Sequence, residues 1–323
     1  MTMLRADMHV HTCHSKVNGN MPFLHSRDCY SRPEDVYRVA KARGMDLVAF
    51  TDHDSIDGAL ELLARRPDAT DIIVGEEVSC RLPDGDLEVH LGIYGMTEAL
   101  HADVQRLRRN VFDVAARLRE AQVFFALNHL LHFYHPRTPL DVYLGLLAEV
   151  PALEVRNGAM LAGHNRLIER VAARWSGAGS GGRAGPLAAV AGSDAHTLRR
   201  VGTTWTEAPG RDRDEFLRSV RDGRGRPGGR DGTLFTVAAD AYGVIVRYAG
   251  SLAGLGPRDH RPLHRAACLA FTAASLPFEF LPLAMALAGK SREQRNVRHA
   301  GAYLATVLEA PGADQVPFRQ APA

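Results

Sequence analysis

The stretch Asp7-Met-His9-Val-His11-Thr12 places two histidines two residues apart in an apolar, extended setting. Residues two apart on a strand share a face, so both imidazoles can aim at one point, as a divalent cation requires. Alone, the pair reads as readily as two hydrogen-bonded histidines at a strand end. The other apolar runs change that balance. Thr51-Asp52-His53-Asp54 follows DLVAF, Glu76-Glu77 follow DIIV and Gly75, and His90 lies within LEVHLGIY. Asn128-His129 follow QVFFAL, and Asp194 and His196 follow LAAVAGS. Carboxylates that converge with imidazoles are costly to hold together unless a cation neutralises them. A site for several metal ions is the economical chemistry.

The elements that must position these groups are legible as an alternation. Apolar runs rich in β-branched or aromatic residues recur at 46–51, 71–78, 87–94, 122–127 and 187–192, the pattern of strands in a parallel sheet buried on both faces. Helical patterns cover 33–43, which opens on Pro33 and acidic residues and stops at Gly44, and also 56–66 and 98–120. Strand–helix alternation of this length argues an α/β fold, with a barrel as its natural closure. In such barrels the loops after the strands converge on one face, which would gather the histidines and carboxylates.

Residues 176–186 (SGAGSGGRAGP) read as a loop and 222–232 (DGRGRPGGRDG) as a linker. The expected organisation is a barrel over 1–230 and a helical C-terminal extension over 231–323. Within that extension Leu263–Gly289 is apolar enough to raise a membrane-surface helix, but Arg265, Glu279, Pro277 and Pro282 interrupt it. An unbroken run of about 20 apolar residues, enough for a transmembrane segment, is not present. A helical cap packed on the barrel, or a subunit contact between oligomer partners, is the expectation. The net charge of +2 supplies no whole-molecule field for nucleic acid or membrane. Cys13, Cys29, Cys80 and Cys268 form no CxxC pair, and no basic-then-apolar leader opens the chain. Reduced thiols and a cytoplasmic location are therefore expected.

Taken in order, His9-Val-His11-Thr12, Thr51-Asp-His53-Asp, Gly75-Glu-Glu77-Val, His90, Asn128-His129 and Gly192-Ser-Asp194-Ala-His196 resemble the motifs of the polymerase and histidinol phosphatase (PHP) family of metal-dependent phosphoesterases. The resemblance covers roughly residues 5–225. It implies a distorted (β/α)7 barrel with a trinuclear cluster at the C-terminal ends of the strands. One metal would be held by His9, His11, Glu77 and Asp194, and a second would share Glu77 and add His90 and His129. A third would take Asp28, His53 and His196. Glu77 is preferred to Glu76 because the family's glutamate sits two positions after the glycine, and strand neighbours face opposite sides. The family's ligand in the short loop after HxH is missing here. Asp28, five residues before Pro33 as in the family pattern, is read as that ligand displaced by an insertion over 16–27, with His14 and His25 as rivals.

The expected activity is hydrolysis of a small phosphomonoester by a metal-activated water, with manganese, iron or zinc as the divalent ion. Glu77, Asp194 and His196 would carry catalysis. Arg156 could clamp a phosphate or instead form a salt bridge. Asn128, Arg199 and Arg200 are further substrate-side candidates, with His132, His135 and His164 at the rim and Lys16 as a loop cation. Asp52 would add a fourth carboxylate near the metals. Rival readings are a phosphodiesterase or exonuclease acting on nucleotides or oligonucleotides, disfavoured by the near-neutral charge, and an amidohydrolase, which needs a lysine at a strand end. A non-catalytic metal-bound regulatory module is a rival of a different class.

Overall fold

The computed structural model describes residues 2–16, 22–83, 87–134, 139, 141–175, 187–255 and 261–309. Nine strands form one sheet in the order β7-β6-β5-β4-β3-β2-β1-β8-β9. Strands β1 (Met3–Val10), β2 (Leu47–Phe50) and β3 (Ile72–Arg81) run parallel, as do β5 (Phe124–Leu127), β6 (Ala152–Asn157) and β7 (Ala188–Gly192). Between these sets β4 (Glu88–Tyr94) is antiparallel to both neighbours, so the expected all-parallel sheet is corrected at this strand. Only residues 82–87 separate β3 from β4, too few for the crossover a parallel pair needs.

Closure falls on β1. Its first half pairs with β8 (Thr204–Pro209), from Met3 opposite Pro209 to Ala6 opposite Thr206. Its second half meets the end of β7. The Asp194 N–H donates to the His9 carbonyl at 2.8 Å, and the His11 N–H to the Ala195 carbonyl at 3.1 Å. The approach is close enough to demand glycine at 192, where a Cβ would lie 2.3 Å from that of His9. The result is a distorted, nearly closed barrel.

The pairing of β1 with β2 slips between Asp7 and Val10. Ala6 and Met8 pack with Ala49 and Ile73, whereas Val10 packs with Val48 and Phe50 against the helix side. Such an irregularity re-aims side chains, and here it turns His9 and His11 toward the mouth.

The helices α1 (Pro33–Ala42) and α2 (Asp57–Arg65) form as their patterns indicate. The pattern over 98–120 does not make one helix. It splits into α3 (Glu98–Leu107) and α4 (Val111–Glu120), because the Asn110 side chain accepts from the Phe112 N–H at 3.1 Å and starts a new helix. Helices α5 (Asp141–Glu149), α6 (Ala162–Arg174) and α7 (Arg213–Ser219) complete the barrel.

The stretch 222–232 is not a free linker: it contains β9 (Arg226–Gly229), paired antiparallel with β8. The expected loop over 176–186 lies outside the described residues. After β9 come α8 (Leu234–Leu252), α9 (Pro262–Ser275) and α10 (Leu281–Glu309). Polar contacts tie this part to the barrel, the following among them. Lys290 Nζ donates to the Ala159 carbonyl at 2.6 Å, the Leu161 N–H donates to Glu293 at 2.7 Å, and Thr197 Oγ1 donates to Asp240 at 2.5 Å. The apolar stretch 263–289 is itself largely exposed in the single chain.

Candidate metal centre

Glu77 sits at the middle of the mouth, 1% exposed, on β3. Its Oε1 lies 2.9 Å from His129 Nε2 and 3.2 Å from His90 Nδ1. Its Oε2 lies 3.1 Å from His9 Nε2, 3.4 Å from His11 Nε2 and 3.1 Å from His53 Nδ1. Asp194 Oδ1 approaches His11 Nε2 at 3.3 Å and His9 Nε2 and His196 Nδ1 at 3.6 Å. Asp28 Oδ2 faces His53 Nε2 at 3.4 Å and His196 Nε2 at 3.7 Å. The nine residues named as ligands are thus brought together.

Their grouping differs from the expected partition. Donor atoms cluster as His11, Asp28, His53 and His196; as His9, His11 and Glu77; as His9, His129 and Asp194; and as His53, Glu77 and His90. His53 therefore borders Glu77 as well as Asp28. Backbone strain helps present two of the nine: His129 and Asp194 adopt φ of 26° and 52°, a region side chains other than glycine's rarely occupy.

The electrostatics describe groups competing for too few protons. Burial opposes charge on His9 and His90, but Glu77 and its neighbours overcome it, holding His9 well above the usual histidine value and His90 at about 9. Burial wins at His11, lowered to about 4, and at His53, lowered to about 3. Glu77 and Asp194, although buried, are held well below the usual carboxylate range by the imidazoles around them. His9 Nε2 and His11 Nε2 lie only 3.1 Å apart, and the buried Asp28 Oδ1 has no hydrogen-bond partner. Convergent lone pairs and an orphaned buried donor atom of this kind fit divalent cations.

Around the nine, several groups act as supports. Glu154, on β6, accepts through its Oε1 from His9 Nδ1 at 2.8 Å. Its Oε2 accepts from the His129 N–H at 3.0 Å and Asn157 Nδ2 at 2.9 Å. Its place on β6 beside Arg156 and Asn157 was the available signal. Ser15 Oγ lies 3.1 Å from His11 Nδ1, and Asn128 Nδ2 donates to Glu77 at 2.9 Å, which makes Asn128 a brace for Glu77 in this geometry. Asp7 was missed. It accepts from the N–H groups of Ser193 and Gly202 at 2.8 and 2.7 Å and so ties β1 to the segment carrying Asp194 and His196.

Other candidates lie apart from the cluster. Asp52 accepts from Thr12 Oγ1 at 2.8 Å and Ser15 Oγ at 3.1 Å, anchoring the loop after β1 rather than adding a fourth carboxylate to the cluster. Glu76 faces the opposite side, accepting from His101 Nδ1 at 2.8 Å and Gln105 Nε2 at 2.7 Å. His14 Nε2 meets Glu61 at 2.7 Å, and the His25 ring packs 4.7 Å from that of His264. Arg156 Nε lies 3.7 Å from Asp231. Arg200 is buried, bonded to the Gly158 carbonyl and 3.9 Å from Asp240, while Arg199 and Lys16 are exposed. The His132 ring packs edge-on 5.2 Å from that of His129. His164 is buried inside α6, away from the rim, and His135 lies outside the described residues.

A family model described as PHP-associated matches residues 183–224, the stretch that holds β7, Asp194, His196 and β8. Over that stretch the chain is similar to PHP proteins. Among curated proteins, this chain is 32% identical over 76 residues to an uncharacterised protein of Methanocaldococcus jannaschii, a match covering 23% of this chain and 44% of that one. It thus spans less than half the length of that relative. Among solved structures it is similar to PsfC from Pseudomonas syringae, with a TM-score of 0.53 and 17% identity over 76% of this chain and 100% of that one. A two-domain protein from Bacteroides vulgatus, described as containing a predicted PHP-like metal-dependent phosphoesterase, gives a TM-score of 0.46 at 16% identity, covering 71% of this chain and 65% of that one.

Proposed function

We propose that this chain is a PHP-type metal-dependent phosphoesterase that hydrolyses small phosphomonoesters, with three divalent cations held by His9, His11, Asp28, His53, Glu77, His90, His129, Asp194 and His196. The observation that carries the reading is Glu77, whose two buried oxygens face separate sets of imidazoles at 2.9–3.4 Å. A carboxylate divided in that way suits adjacent cations that share it. Manganese, iron and zinc all accept mixed imidazole and carboxylate donors. Bound there, such ions would polarise phosphoryl oxygens and lower the pKa of a bound water.

The chain's own residues orient and exclude. Glu154 fixes the His9 ring, Ser15 the His11 ring and Asn128 the Glu77 carboxylate. The cluster is buried except along one edge, where the side chains of Asp28, His53 and His196 are 14%, 21% and 26% exposed. A phosphate would enter past that edge. Exposed Arg199 and Lys16 are the cations proposed to meet a dianion there. The near-neutral net charge gives little of the distributed attraction that a polymer backbone exploits. The test is kcat/KM for matched mono- and diesters after reconstitution with each metal and after chelation. Monoesters should be faster. A diester preference of about tenfold, or about 1.4 kcal/mol in transition-state binding, would overturn the substrate class.

A further inference from the structure

The helical hairpin after the barrel exposes an apolar surface that water does not favour. On α9 the positions turned away from solvent (His264, Arg265, Cys268, Thr272 and Ser275) form one stripe roughly 100° wide at 3.6 residues per turn. Every exposed position from Leu263 to Ala274 is apolar. The connection and the first turns of α10 continue this pattern, with Leu276, Phe278, Phe280 and Met285 exposed by 58%, 54%, 60% and 69%. At Lys290 the character of α10 changes. Beyond it Glu293, Asn296, Ala300 and Leu304 are buried against the rest of the protein, while Arg292, Arg295 and Arg298 are exposed.

A protein partner covers one face of a helix. A helix apolar over most of its circumference is suited to a medium that surrounds it. The charges fit that medium: Arg261 precedes the apolar stretch, Arg292, Arg295 and Arg298 follow it, and Glu279 is the one acidic residue from 261 to 292. Cations beside an apolar helix complement anionic headgroups. The dimensions select the depth. Among the described residues no single helix is long and apolar enough to cross a bilayer; Pro262–Phe278 and Leu281–Leu304 reach that length and composition only together, and they are bent by 68° at their break. The apolar part of α10, residues 281–289, is about 13 Å long at 1.5 Å per residue, less than half the roughly 30 Å hydrocarbon core.

We propose that residues 262–289 form an insertion hairpin that seats this protein in one leaflet of an anionic lipid surface, with the basic residues of α10 at the headgroups. The barrel would then be held at the membrane while the metal centre stays in water. This is independent of the substrate class.

The experiment is flotation of the full chain with phosphatidylcholine vesicles prepared with and without phosphatidylserine. The wild type should float with both, more strongly with phosphatidylserine, and that excess should fall with added salt. Replacing Leu276, Phe278 and Phe280 together by serine should cut binding to both vesicles by about tenfold or more without lowering the melting temperature, because these side chains are exposed. Should that variant melt earlier, Met285→Ser gives the same reading from one exposed position. Arg292→Gln, Arg295→Gln and Arg298→Gln together should abolish only the phosphatidylserine excess. Failure of the wild type to float with either vesicle would overturn the proposal, as would unchanged flotation of the serine variant. Failure to float together with concentration-dependent self-association, lost in the serine variant, would assign the surface to a second copy instead.

Discussion

Replacing Glu154 by glutamine is a near-isosteric change, yet three hydrogen bonds make its effect predictable. Oε1 receives the His9 Nδ1 proton, and Oε2 receives the His129 N–H and an Asn157 Nδ2 hydrogen. An amide offers one acceptor oxygen and one donor group. With its oxygen toward His9, two buried donors would face an NH2 and go unsatisfied, at about 1–3 kcal/mol each. With its oxygen toward those two donors, the NH2 faces His9 Nδ1, which must then accept. The imidazole proton moves to Nε2, the nitrogen that faces Glu77 at 3.1 Å and belongs to the metal cluster. The second orientation costs fewer bonds, so the variant should fold and hold His9 in the tautomer that cannot ligate. Loss of such a support weakens metal binding by about 10–100-fold, or roughly 1.4–2.7 kcal/mol. Chelator-competition titration with zinc or manganese measures this directly, alongside the melting temperature of the metal-free protein. Metal affinity within about twofold of wild type would refute the tautomer argument, whatever happens to turnover.

Three further outcomes follow from the geometry. Glu77→Gln should lose bound metal on reconstitution, measured by elemental analysis, whereas Glu76→Gln should keep it and lose about 1 kcal/mol of stability, its partner His101 being a quarter exposed. Asp28→Ala should bind fewer metals per chain than wild type by the same analysis, while His14→Ala and His25→Ala keep the full number. His164, buried in α6, has its pKa lowered by burial from 6.5 to about 4, so the neutral ring's contribution to stability is complete above pH 6.5 and is lost as the pH falls toward 4. In metal-free urea melts His164→Met should therefore gain on the wild type by up to about 2 kcal/mol between pH 7 and pH 5, and a constant difference would contradict this.

The residues that proved readable in advance were those whose meaning is local. His9 and His11 share a strand, Glu77 rather than Glu76 follows from alternation and family spacing, and His53, His129, Asp194 and His196 come directly after apolar runs. What stayed hidden depends on partners distant in sequence. The slip of β1 against β2 between Asp7 and Val10 leaves no mark on residues 7–10, because it concerns pairing. The reversal of β4 follows from a connection too short for a crossover, whereas an apolar run looks the same in either direction. Asn110 inside 98–120 was a visible N-cap residue, but the periodicity continues through it and conceals the break. Glu154 and Asp7 bond to chain more than 100 residues away, and neither lies in a spacing that announces this. Composition placed helices after residue 231 but said nothing of which faces remain bare.

The meeting of β7 with β1 also determines when a metal can be held. His9 and His11 come from the first strand, Asp194 and His196 from the segment after β7, and the two meet where the Asp194 N–H reaches the His9 carbonyl and the His11 N–H the Ala195 carbonyl. Until that seam shuts, the donors lie on strands separated by five others in the sheet order, and no partial assembly holds the complete set. With the proposed cations bound there, their uptake and completion of the fold would be one equilibrium. Free metal at a hundred times its dissociation constant would stabilise the closed barrel by about 2.7 kcal/mol per site, so the supply of metal would regulate how much of this protein persists as well as how fast it turns over.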